Sequence, residues 1–567
     1  MATFFFDGTK DLTVTKSDVV VVTGGAASYA GASFGVFGAG ATATFGAFKV
    51  TVSDATDVKT LNTVLSVPGG SINIDPAAPL AAGNNTLASS LTVAGPHVVT
   101  GAAASQVSVI LGGSSLNDSG DGADLITIGG KGTFTVYGNG GADKINTGAV
   151  FDSSTVATVY GGAGDDEVTL GTAGVKAAIT VYGNGDLDKI SVNNAGTTTI
   201  FGGSSLNDSA DKADQITFEG GGTFTVYGNG GDDVISLGAT KLDSTAVATV
   251  YGGAGADQIN LDTGGAKATI TVYGGSDAGV DQLTVANKGT TTIYGGSGVN
   301  DSADSTDNIT FSGGGTFTIY GNGGDDLILG GLVDAKTVST VYGGAGKDTV
   351  NVFGADSGNT TVYGNAGEDN LTVNGNGKST VTVYGGSGFS DATDAKDVIV
   401  LNGVGAFTAY GNGGDDQIIV NVANTAGDTT SVFGGAGKDS INLNSVTAAG
   451  GTVFTLSGGS EADTFNITKG TGAQVTISDY TTADKMVISA VGAAGTAGAV
   501  SSSATTLQGA LDAAATGADK SVGIVAFEGN SYVVVRDGVA GFGAGDMAIK
   551  LTGVTDVLAL ANTITFS

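Results

Sequence analysis

The chain has 567 residues, 100 of them glycine and none of them cysteine, and its formal net charge is −32. The absence of cysteine excludes disulfides and thiolate metal sites, and the acidity argues against nucleic-acid binding and favours multivalent cations. Disorder is not expected, because 41% of the residues are apolar and they alternate as they do in strands. No apolar run is long enough to span a bilayer, so we expect no transmembrane segment.

Residues 1–105 predict an N-terminal β domain. Runs such as Val19–Val22 and Phe45–Val52 are typical of strands, and the segment that begins at Met1 lacks the basic and apolar parts of a cleavable signal peptide. Proline, which central strands exclude, occurs only in this region. The prolines are Pro68, Pro76, Pro79 and Pro96. The region is either a separate small domain, which we favour, or a set of degenerate first turns of the repeats that follow.

Residues 106–466 repeat one pattern: a short apolar strand, an aromatic residue, two glycines, a few small residues, an aspartate and a second strand. Thr158–Thr169 is a clear copy. The pattern occurs 16 times at a spacing of roughly 23 residues, and every fourth turn carries a long acidic insertion, which gives four blocks of four turns. Each repeat can bury its apolar face only by stacking on its neighbours. The sequence therefore predicts an all-β protein, a parallel β-roll or β-helix solenoid of about 16 turns.

Aspartate is the candidate metal-binding residue of each turn. It stands at the sixth position when the first glycine is position one, as in Gly161 and Asp166. Calcium takes about six to eight hard oxygen ligands, carbonyls as well as carboxylates, and no single turn supplies enough, so we expect each ion to lie between successive turns. The alternative is a tight turn without metal, in which stacked carboxylates would repel one another. The candidate residues in these turns are Gly138, Asp143, Gly161, Ala163, Asp165, Asp166, Asp188, Gly228, Asp233, Gly252, Asp257, Asp281, Asp326, Asp348, Asp369, Asp416, Asp439 and Asp463.

The acidic insertions follow a second pattern, with an aspartate at every third position. Such a loop either holds an additional calcium ion, or makes a cation-bridged contact to a neighbour, or is a solvated acidic surface, and the sequence leaves these readings open. The aspartates are Asp118, Asp121 and Asp124, then Asp208, Asp211 and Asp214, then Asp301, Asp304 and Asp307, and finally Asp391, Asp394 and Asp397. The last member of each triple also precedes the second strand of its turn, so it is a candidate metal ligand as well.

The residue before the first glycine is aromatic in 14 turns, and these positions include 12 of the 15 tyrosines. Strand alternation places Val136 and Val159, two positions before the glycine, inside the solenoid and the aromatic residue outside. The aromatic row either stabilises the sheet through cross-strand stacking or forms a docking surface, which we favour. Its members are Tyr137, Tyr160, Tyr182, Phe201, Tyr227, Tyr251, Tyr273, Tyr294, Tyr320, Tyr342, Tyr363, Tyr384, Tyr410 and Phe433.

Residues 467–567 predict a β-rich cap, which a solenoid needs because its last turn exposes unpaired backbone and apolar core. Within this region Thr505–Ala515 is the best helix candidate, with a threonine available as N-cap. Strands are predicted at Ser531–Val535 and at Met547–Leu551.

Gly161–Thr169 and Gly252–Asn260 match the glycine-rich nonapeptide of the RTX proteins, and the chain resembles that family over roughly residues 112–567. The resemblance implies a β-roll with multiple calcium ions, type I secretion with an uncleaved signal within residues 467–567, and folding in extracellular calcium. The chain departs from the usual pattern because only one edge of its turns carries the motif. We therefore expect one calcium-binding edge rather than two.

Within that family the chain is most similar to bacterial surface-layer (S-layer) proteins. The similarity implies a structural, self-assembling protein at the extracellular surface of a Gram-negative bacterium, a calcium-stapled rod that forms a lattice with copies of itself. Residues 1–105 would then mediate assembly or anchor the chain to lipopolysaccharide or another cell-surface glycan. An extracellular matrix fibre or adhesin is the alternative. An ice-binding module is a third, suggested by pairs such as Thr133 and Thr135.

We expect no enzymatic activity and no catalytic residues. The single histidine, His97, cannot form a two-histidine zinc site of the kind found in secreted proteases. Gly31–Gly35 matches the nucleophile-elbow pattern of hydrolases, but it lies in a β-rich stretch without the strand, turn and helix that this motif requires.

Overall fold

The computed structural model describes residues 122–566 with short gaps, and before residue 122 it describes the backbone of ten strands. Among the residues singled out above, Met1, the four prolines, His97, Asp118 and Asp121 lie outside the described part of the chain. The gaps after residue 122 are 129, 148–150, 152, 173, 206–207, 276–277, 300, 333–335, 355, 389–390, 424–426, 445–452, 469–473, 490–496, 519–520 and 544.

The protein is all-β and forms a parallel β-solenoid of about 15 turns, which confirms the predicted fold. The chain divides into two compact units, residues 1–290 and residues 291–567. In both units the repeats alternate between two sheets, so that each repeat strand pairs in parallel with the strand two places earlier. This alternation follows from the repeat, because the glycine turn takes the chain from one sheet to the other and the next loop brings it back.

Ten strands precede residue 112 in the first unit. They are β1 (Thr3–Phe6), β2 (Leu12–Val14), β3 (Val19–Val22), β4 (Ser33–Gly35), β5 (Thr42–Phe45), β6 (Phe48–Val52), β7 (Ser71–Asp75), β8 (Ser89–Thr92), β9 (Val98–Gly101) and β10 (Ala103–Leu111). Ser33, the serine of the elbow pattern, begins strand β4. Strand β7 pairs in parallel with β9, and β8 with β10. Parallel pairing thus reaches across the predicted boundary near residue 105, as expected of degenerate first turns, and the boundary itself stays a prediction.

The rest of the first unit consists of regular repeats, in which even-numbered strands form the first sheet and odd-numbered strands the second. The strands are β11 (Leu125–Ile128), β12 (Gly130–Gly140), β13 (Lys144–Thr147), β14 (Val156–Ala163), β15 (Glu167–Gly171), β16 (Ala178–Gly185), β17 (Lys189–Asn193), β18 (Thr197–Gly203), β19 (Gln215–Gly220), β20 (Thr223–Gly230), β21 (Val234–Leu242), β22 (Val247–Ala254), β23 (Gln258–Asp262), β24 (Thr269–Gly275) and β25 (Gln282–Asn287).

The second unit has the same alternation, with even-numbered strands in one sheet and odd-numbered strands in the other up to β43. Its repeat strands are β26 (Thr290–Tyr294), β27 (Asn308–Gly313), β28 (Thr316–Gly323), β29 (Leu327–Leu332), β30 (Val338–Ala345), β31 (Thr349–Phe353), β32 (Asn359–Ala366), β33 (Asn370–Gly375), β34 (Thr380–Tyr384), β35 (Val398–Gly403), β36 (Ala406–Gly413), β37 (Gln417–Val422), β38 (Thr429–Ala436), β39 (Ser440–Leu443), β40 (Val453–Ser460), β41 (Thr464–Thr468), β42 (Gln474–Ile477) and β43 (Lys485–Ser489).

A small β-rich cap follows the last repeats of the second unit. Its elements are β44 (Ala497–Ala499), α1 (Leu507–Ala514), β45 (Val522–Phe527), β46 (Asn530–Val535), β47 (Met547–Leu551), α2 (Val557–Ala561) and β48 (Ile564–Phe566). Strand β47 pairs in parallel with β42 and antiparallel with β46, so the cap covers the end of the first sheet. The predicted helix and both predicted strands are confirmed, and the hydroxyl of Thr506 caps α1 by accepting a hydrogen bond from the backbone N–H of Gly509 at 3.2 Å.

The core lies between the two sheets, and strand alternation decides which residues enter it. In β14 and β15 the inward residues Val159 and Val168 have no exposed surface, and Ile190 in β17 is equally buried. The outward neighbours of these residues are partly or fully exposed. This is the inward set that the period of two predicts. Burial of each such side chain contributes about 1.5–3 kcal/mol to the stability of the folded state.

The aromatic row lies on the outer face of the first sheet, as predicted. In the first unit, neighbouring rings from Tyr137 to Tyr273 have centroids 4.7–4.9 Å apart and planes within 4–7° of parallel. In the second unit, the rings from Tyr294 to Phe433 are 4.8–4.9 Å apart and within 3–9°. These rings follow the strand spacing. Each inner ring of a row therefore contacts two others, which supports the cross-strand stabilisation that the sequence left as an alternative.

We expect Tyr251→Ala to destabilise the protein by about 1–3 kcal/mol, because Tyr251 stacks on two rings and each stacked pair contributes roughly 0.5–1.5 kcal/mol. Tyr251→Phe should change stability by less than about 0.5 kcal/mol, since Phe201 already occupies an equivalent place in the same row. Urea unfolding at fixed calcium concentration would measure both effects. Equal losses in the two variants would show that the hydroxyl, and not ring stacking, stabilises this row.

A row of asparagine amides that the sequence analysis did not identify runs along the second sheet of the second unit. The side-chain amide nitrogens of Asn374, Asn402, Asn421 and Asn444 each donate to the amide oxygen of the preceding asparagine, starting at Asn351, at 3.0–3.2 Å. Such amide rows stabilise stacked parallel strands, because each side chain repeats the hydrogen bonding of the backbone beneath it.

Candidate metal centre

The candidate site lies at the turns that lead from the first sheet to the second. The glycine turn of this repeat begins at Gly161, near the end of β14, and ends at Asp166, directly before β15. Its second position adopts a left-handed backbone, with φ 126° at Gly162 and φ 85° at Asn184 one turn later. Glycine and asparagine are the residues that tolerate this conformation best. This requirement explains why glycine or asparagine occupies the second position of such turns.

One carboxylate oxygen of each aspartate forms a hydrogen bond to the preceding turn. The backbone N–H of Asp143 donates to Oδ1 of Asp166 at 2.7 Å, and the N–H of Asp166 donates to Oδ1 of Asp188 at 2.8 Å. In the first unit this aspartate row comprises Asp124, Asp143, Asp166, Asp188, Asp214, Asp233, Asp257 and Asp281. In the second unit it comprises Asp307, Asp326, Asp348, Asp369, Asp397, Asp416, Asp439, Asp463 and Asp484.

The other carboxylate oxygen, Oδ2, points into the turn. Oδ2 of Asp166 lies against the α-carbon of Gly161, as does the carbonyl oxygen of Gly183 from the next turn, and a β-carbon on Gly161 would be closer than 3.0 Å to both. The same arrangement recurs in other turns, for example at Gly252, where Asp257 Oδ2 and the Gly274 carbonyl oxygen approach. The first position must therefore be glycine, because any side chain would displace the carboxylate.

In ten of the row aspartates the inward oxygen is buried and accepts no hydrogen bond from the described residues. The row aspartates from 124 to 463 are at most 3% exposed. Within the described part of the chain, no hydrogen bond reaches Oδ2 of Asp166, Asp188, Asp214, Asp233, Asp326, Asp348, Asp369, Asp397, Asp416 or Asp439. A carboxylate oxygen facing a carbonyl oxygen is electrostatically unfavourable, and a buried charge of this kind requires either a proton or a cation.

The electrostatics of the rows agree with this geometry. Burial raises the pKa of Asp166 to about 7. Burial, together with the carboxylate of Asp257, raises the pKa of Asp233 to about 9. In the second unit burial raises the pKa of Asp326 to about 9 as well. Charged carboxylates are therefore disfavoured in these rows unless a positive charge accompanies them.

The structure separates the predicted residues into two groups. The predicted sixth-position aspartates all join the rows, and Gly138, Gly161, Gly228 and Gly252 form the walls against which their carboxylates lie. The exposed Ala163 and Asp165 lie outside the row, and Oδ1 of Asp165 accepts a hydrogen bond from the backbone N–H of Leu187 at 3.2 Å. The sequence analysis missed the last member, Asp484, although it precedes β43 as the other aspartates precede their strands.

The aspartate triples of the insertions do not act as single units. The first member is bound to its own loop, as in Asp301, whose Oδ2 accepts a hydrogen bond from Ser297 Oγ at 2.6 Å. The third member, Asp307, belongs to the aspartate row. Across the described residues, no three acidic or histidine side chains converge closely enough to hold a metal ion by themselves. A cation bound here would therefore also need backbone carbonyl oxygens.

Comparison with known proteins gives no assignment: no protein-family model matches the chain, and no curated protein matches it significantly. Among the described residues, none of the helices has the length and apolar character needed to cross a membrane. Function must therefore be inferred from the fold and from the aspartate rows.

Proposed function

We propose that this protein is a calcium-stapled structural protein of the RTX type. The observation that carries the proposal is the buried Oδ2 atom of Asp166 and its equivalents in nine other row aspartates, which accepts no hydrogen bond from the described residues. Oδ2 of Asp166 and the carbonyl oxygen of Gly183 lie against the same glycine, Gly161. Hard oxygens of mixed carboxylate and carbonyl character are the ligands that calcium prefers. The match of Gly161–Thr169 to the RTX nonapeptide supports the same assignment.

The proposed ligands are Oδ2 of the row aspartates together with carbonyl oxygens of the glycine turns. A bound calcium ion supplies the positive charge that neutralises the row and links consecutive turns. The chain itself prepares the carboxylate, because Oδ1 of Asp166 is already fixed by the backbone N–H of Asp143. Oδ2 is thereby oriented before any ion arrives, which lowers the entropic cost of binding.

We further propose a non-enzymatic role, in which the protein forms a layer on the surface of a Gram-negative bacterium after type I secretion directed by residues 467–567. Support comes from the solenoid, which accounts for most of the described chain, and from the net charge of −32, which calcium can bridge between copies. The proposed partners are further copies of the chain and lipopolysaccharide or another cell-surface glycan, held by residues 1–105. The outer aromatic rows, such as Tyr137 to Tyr273, offer surface for contacts between copies.

One observation favours an alternative role in binding an ordered surface, as an adhesin or an ice-binding module does. A threonine row runs beside the aromatic row of the first unit, with every member in register with the next. The row consists of Thr135, Thr158, Thr180, Thr199, Thr225, Thr249 and Thr271. Threonine is also common on outward strand faces for reasons of packing. We therefore rank surface binding below self-assembly as the function of this protein. A matrix fibre would use the same contacts as a lattice with a different symmetry.

Negative-stain electron microscopy of the purified chain, with millimolar calcium and again with a chelator, tests the proposal. We expect ordered sheets only when calcium is present, because the ion both stabilises the turns and offsets repulsion between acidic copies. Filaments in place of sheets would show that the protein assembles into a fibre and not into a lattice. Isolated particles under both conditions would contradict self-assembly, and binding of the purified chain to ice and to glycans would then be measured.

A further inference from the structure

Three insertion turns within the described chain, residues 202–214, 295–307 and 385–397, differ from the ordinary turns in their carboxylates. The first aspartate of each triple is fully engaged by its own loop. Oδ2 of Asp391 accepts hydrogen bonds from Ser387 Oγ at 2.7 Å and from the Ser387 backbone N–H at 3.3 Å. Asp208 is bound in the same way by Ser204. These half-buried carboxylates stabilise the loop through their own hydrogen bonds.

In two of these triples the second aspartate approaches the third. The carboxyl groups of Asp394 and Asp397 lie within hydrogen-bonding reach of each other, as do those of Asp211 and Asp214. Oδ1 of Asp394 accepts a hydrogen bond from the backbone N–H of Ala395 at 2.9 Å, whereas Oδ2 of Asp394 and Oδ2 of Asp397 accept none from the described residues. Asp397 has no exposed surface, and Asp214 is only 1% exposed. Two like charges cannot be held so close and so deeply without compensation.

A cradle of two successive glycines faces each pair. The α-carbon of Gly385 lies against Asp397 Oδ2 and the carbonyl oxygen of Gly411, and the α-carbon of Gly386 lies against Asp394 Oδ2. A β-carbon at either glycine would be closer than 3.0 Å to these oxygens. The arrangement recurs at Gly202 and Gly203 with Asp214 and Asp211, and at Gly295 and Gly296 with Asp307 and Asp304.

Ordinary turns lack the second carboxylate. At Gly162, the second position of an ordinary turn, a β-carbon would meet the backbone of Asn139 and no acidic side chain. An ordinary turn therefore offers one inward carboxylate, and an insertion turn offers two. Because the affinity of an oxygen site for calcium rises with the number of charged ligands, the two kinds of turn should differ in affinity.

We propose that the insertion turns form a second, tighter class of divalent-cation site, in which the paired carboxylates Asp211 with Asp214, Asp304 with Asp307, and Asp394 with Asp397 share one ion. The proposal rests on the proposed calcium-binding function. It adds that calcium fills these turns first, so that a block containing one of these three pairs is stapled at its insertion before its ordinary turns bind.

Calcium binding by the full chain, measured by equilibrium dialysis, tests this proposal with the triple variant Asp211→Asn, Asp304→Asn and Asp394→Asn. Asparagine keeps the size of the side chain and removes one charge from each pair without altering the aspartate row. We expect the variant to lose three tightly bound ions per chain and to retain the weaker class. The single variants Asp211→Asn and Asp394→Asn should each lose one tight ion, which keeps the test informative if the triple variant folds poorly.

A matched control removes three charges from exposed sites, through Asp262→Asn, Glu368→Gln and Glu528→Gln. This control should bind calcium as the unmodified chain does. If the control loses as many tightly bound ions as the triple variant, the change in overall charge explains the loss and the proposal is overturned. If the unmodified chain binds calcium and the variants keep all their tight ions, the paired site is wrong and the proposed function stands. If the unmodified chain binds no calcium, both proposals fail.

Discussion

Without calcium the protein should be more stable at pH 5 than at pH 8, and calcium should reverse this order. Burial raises the pKa values of ten row aspartates to about 7–9, from an ordinary value of 3.8. The calcium-free folded state therefore binds more protons than the unfolded state between about pH 4 and pH 9. The stability of the calcium-free protein is greatest at a pH below the pKa of these aspartates in the unfolded state. It falls as the pH rises through the pKa values that they have in the folded state.

Calcium inverts the dependence because it replaces protons on the same carboxylates. With saturating calcium, acidification from pH 8 to pH 5 should lower the midpoint of thermal unfolding, and calcium binding at pH 7 should release protons that a weakly buffered titration can detect. The double variant Asp166→Asn and Asp257→Asn is the matched test, because asparagine retains Oδ1 as the acceptor for the preceding turn. The stabilisation gained from calcium should be smaller in this variant. An unchanged gain would contradict the stapling of turns by these aspartates.

Gly161→Ala should destabilise the protein by about 1–3 kcal/mol, or more if Asp166 is expelled from the turn. The new β-carbon would be closer than 3.0 Å to both Asp166 Oδ2 and the Gly183 carbonyl oxygen. The clash involves a backbone atom and a carboxylate held by a hydrogen bond, so neither can move without breaking the stacking of turns. Thermal unfolding and the calcium concentration needed for folding would both report the change.

Gly185→Ala is the matched control for this substitution. Gly185 is the last residue of β16 and lies in the glycine turn of the next repeat after that of Gly161. A β-carbon on Gly185 would meet nothing within 4 Å. The alanine should be neutral, or stabilising by up to about 1 kcal/mol because it restricts the unfolded chain. If both variants lose the same stability, loss of backbone freedom explains the effect, and the inward carboxylate does not determine the requirement for glycine at position 161.

The periodic features of this protein could be predicted from the sequence because they are local. A period of two sets the inward residues, such as Val159 and Val168, and both are fully buried. The helix near residue 507 and two strands of the cap, β46 and β47, were also predicted, since capping and alternation act within a few residues. The aspartate at position six was identified by its recurrence alone.

The roles of individual atoms were decided only by the tertiary structure. Asp165 and Asp166 are adjacent and chemically identical, yet Asp166 is buried in the row and Asp165 is exposed, and this difference arises only when the turn has formed against its neighbours. The amide row from Asn351 to Asn444 likewise depends on register between strands that are 19–28 residues apart in the sequence.

The repeat, the alternation of side chains within its strands and the placement of glycine and aspartate were thus determined by the sequence itself, because each depends on the geometry of a few consecutive residues. The pairing of Asp394 with Asp397, the hydrogen bonds of Asp391 to its own loop, and the parallel stacking of the aromatic rings were decided by the tertiary structure. These contacts form only when successive turns stack in register, and register is set by the packing of the whole core.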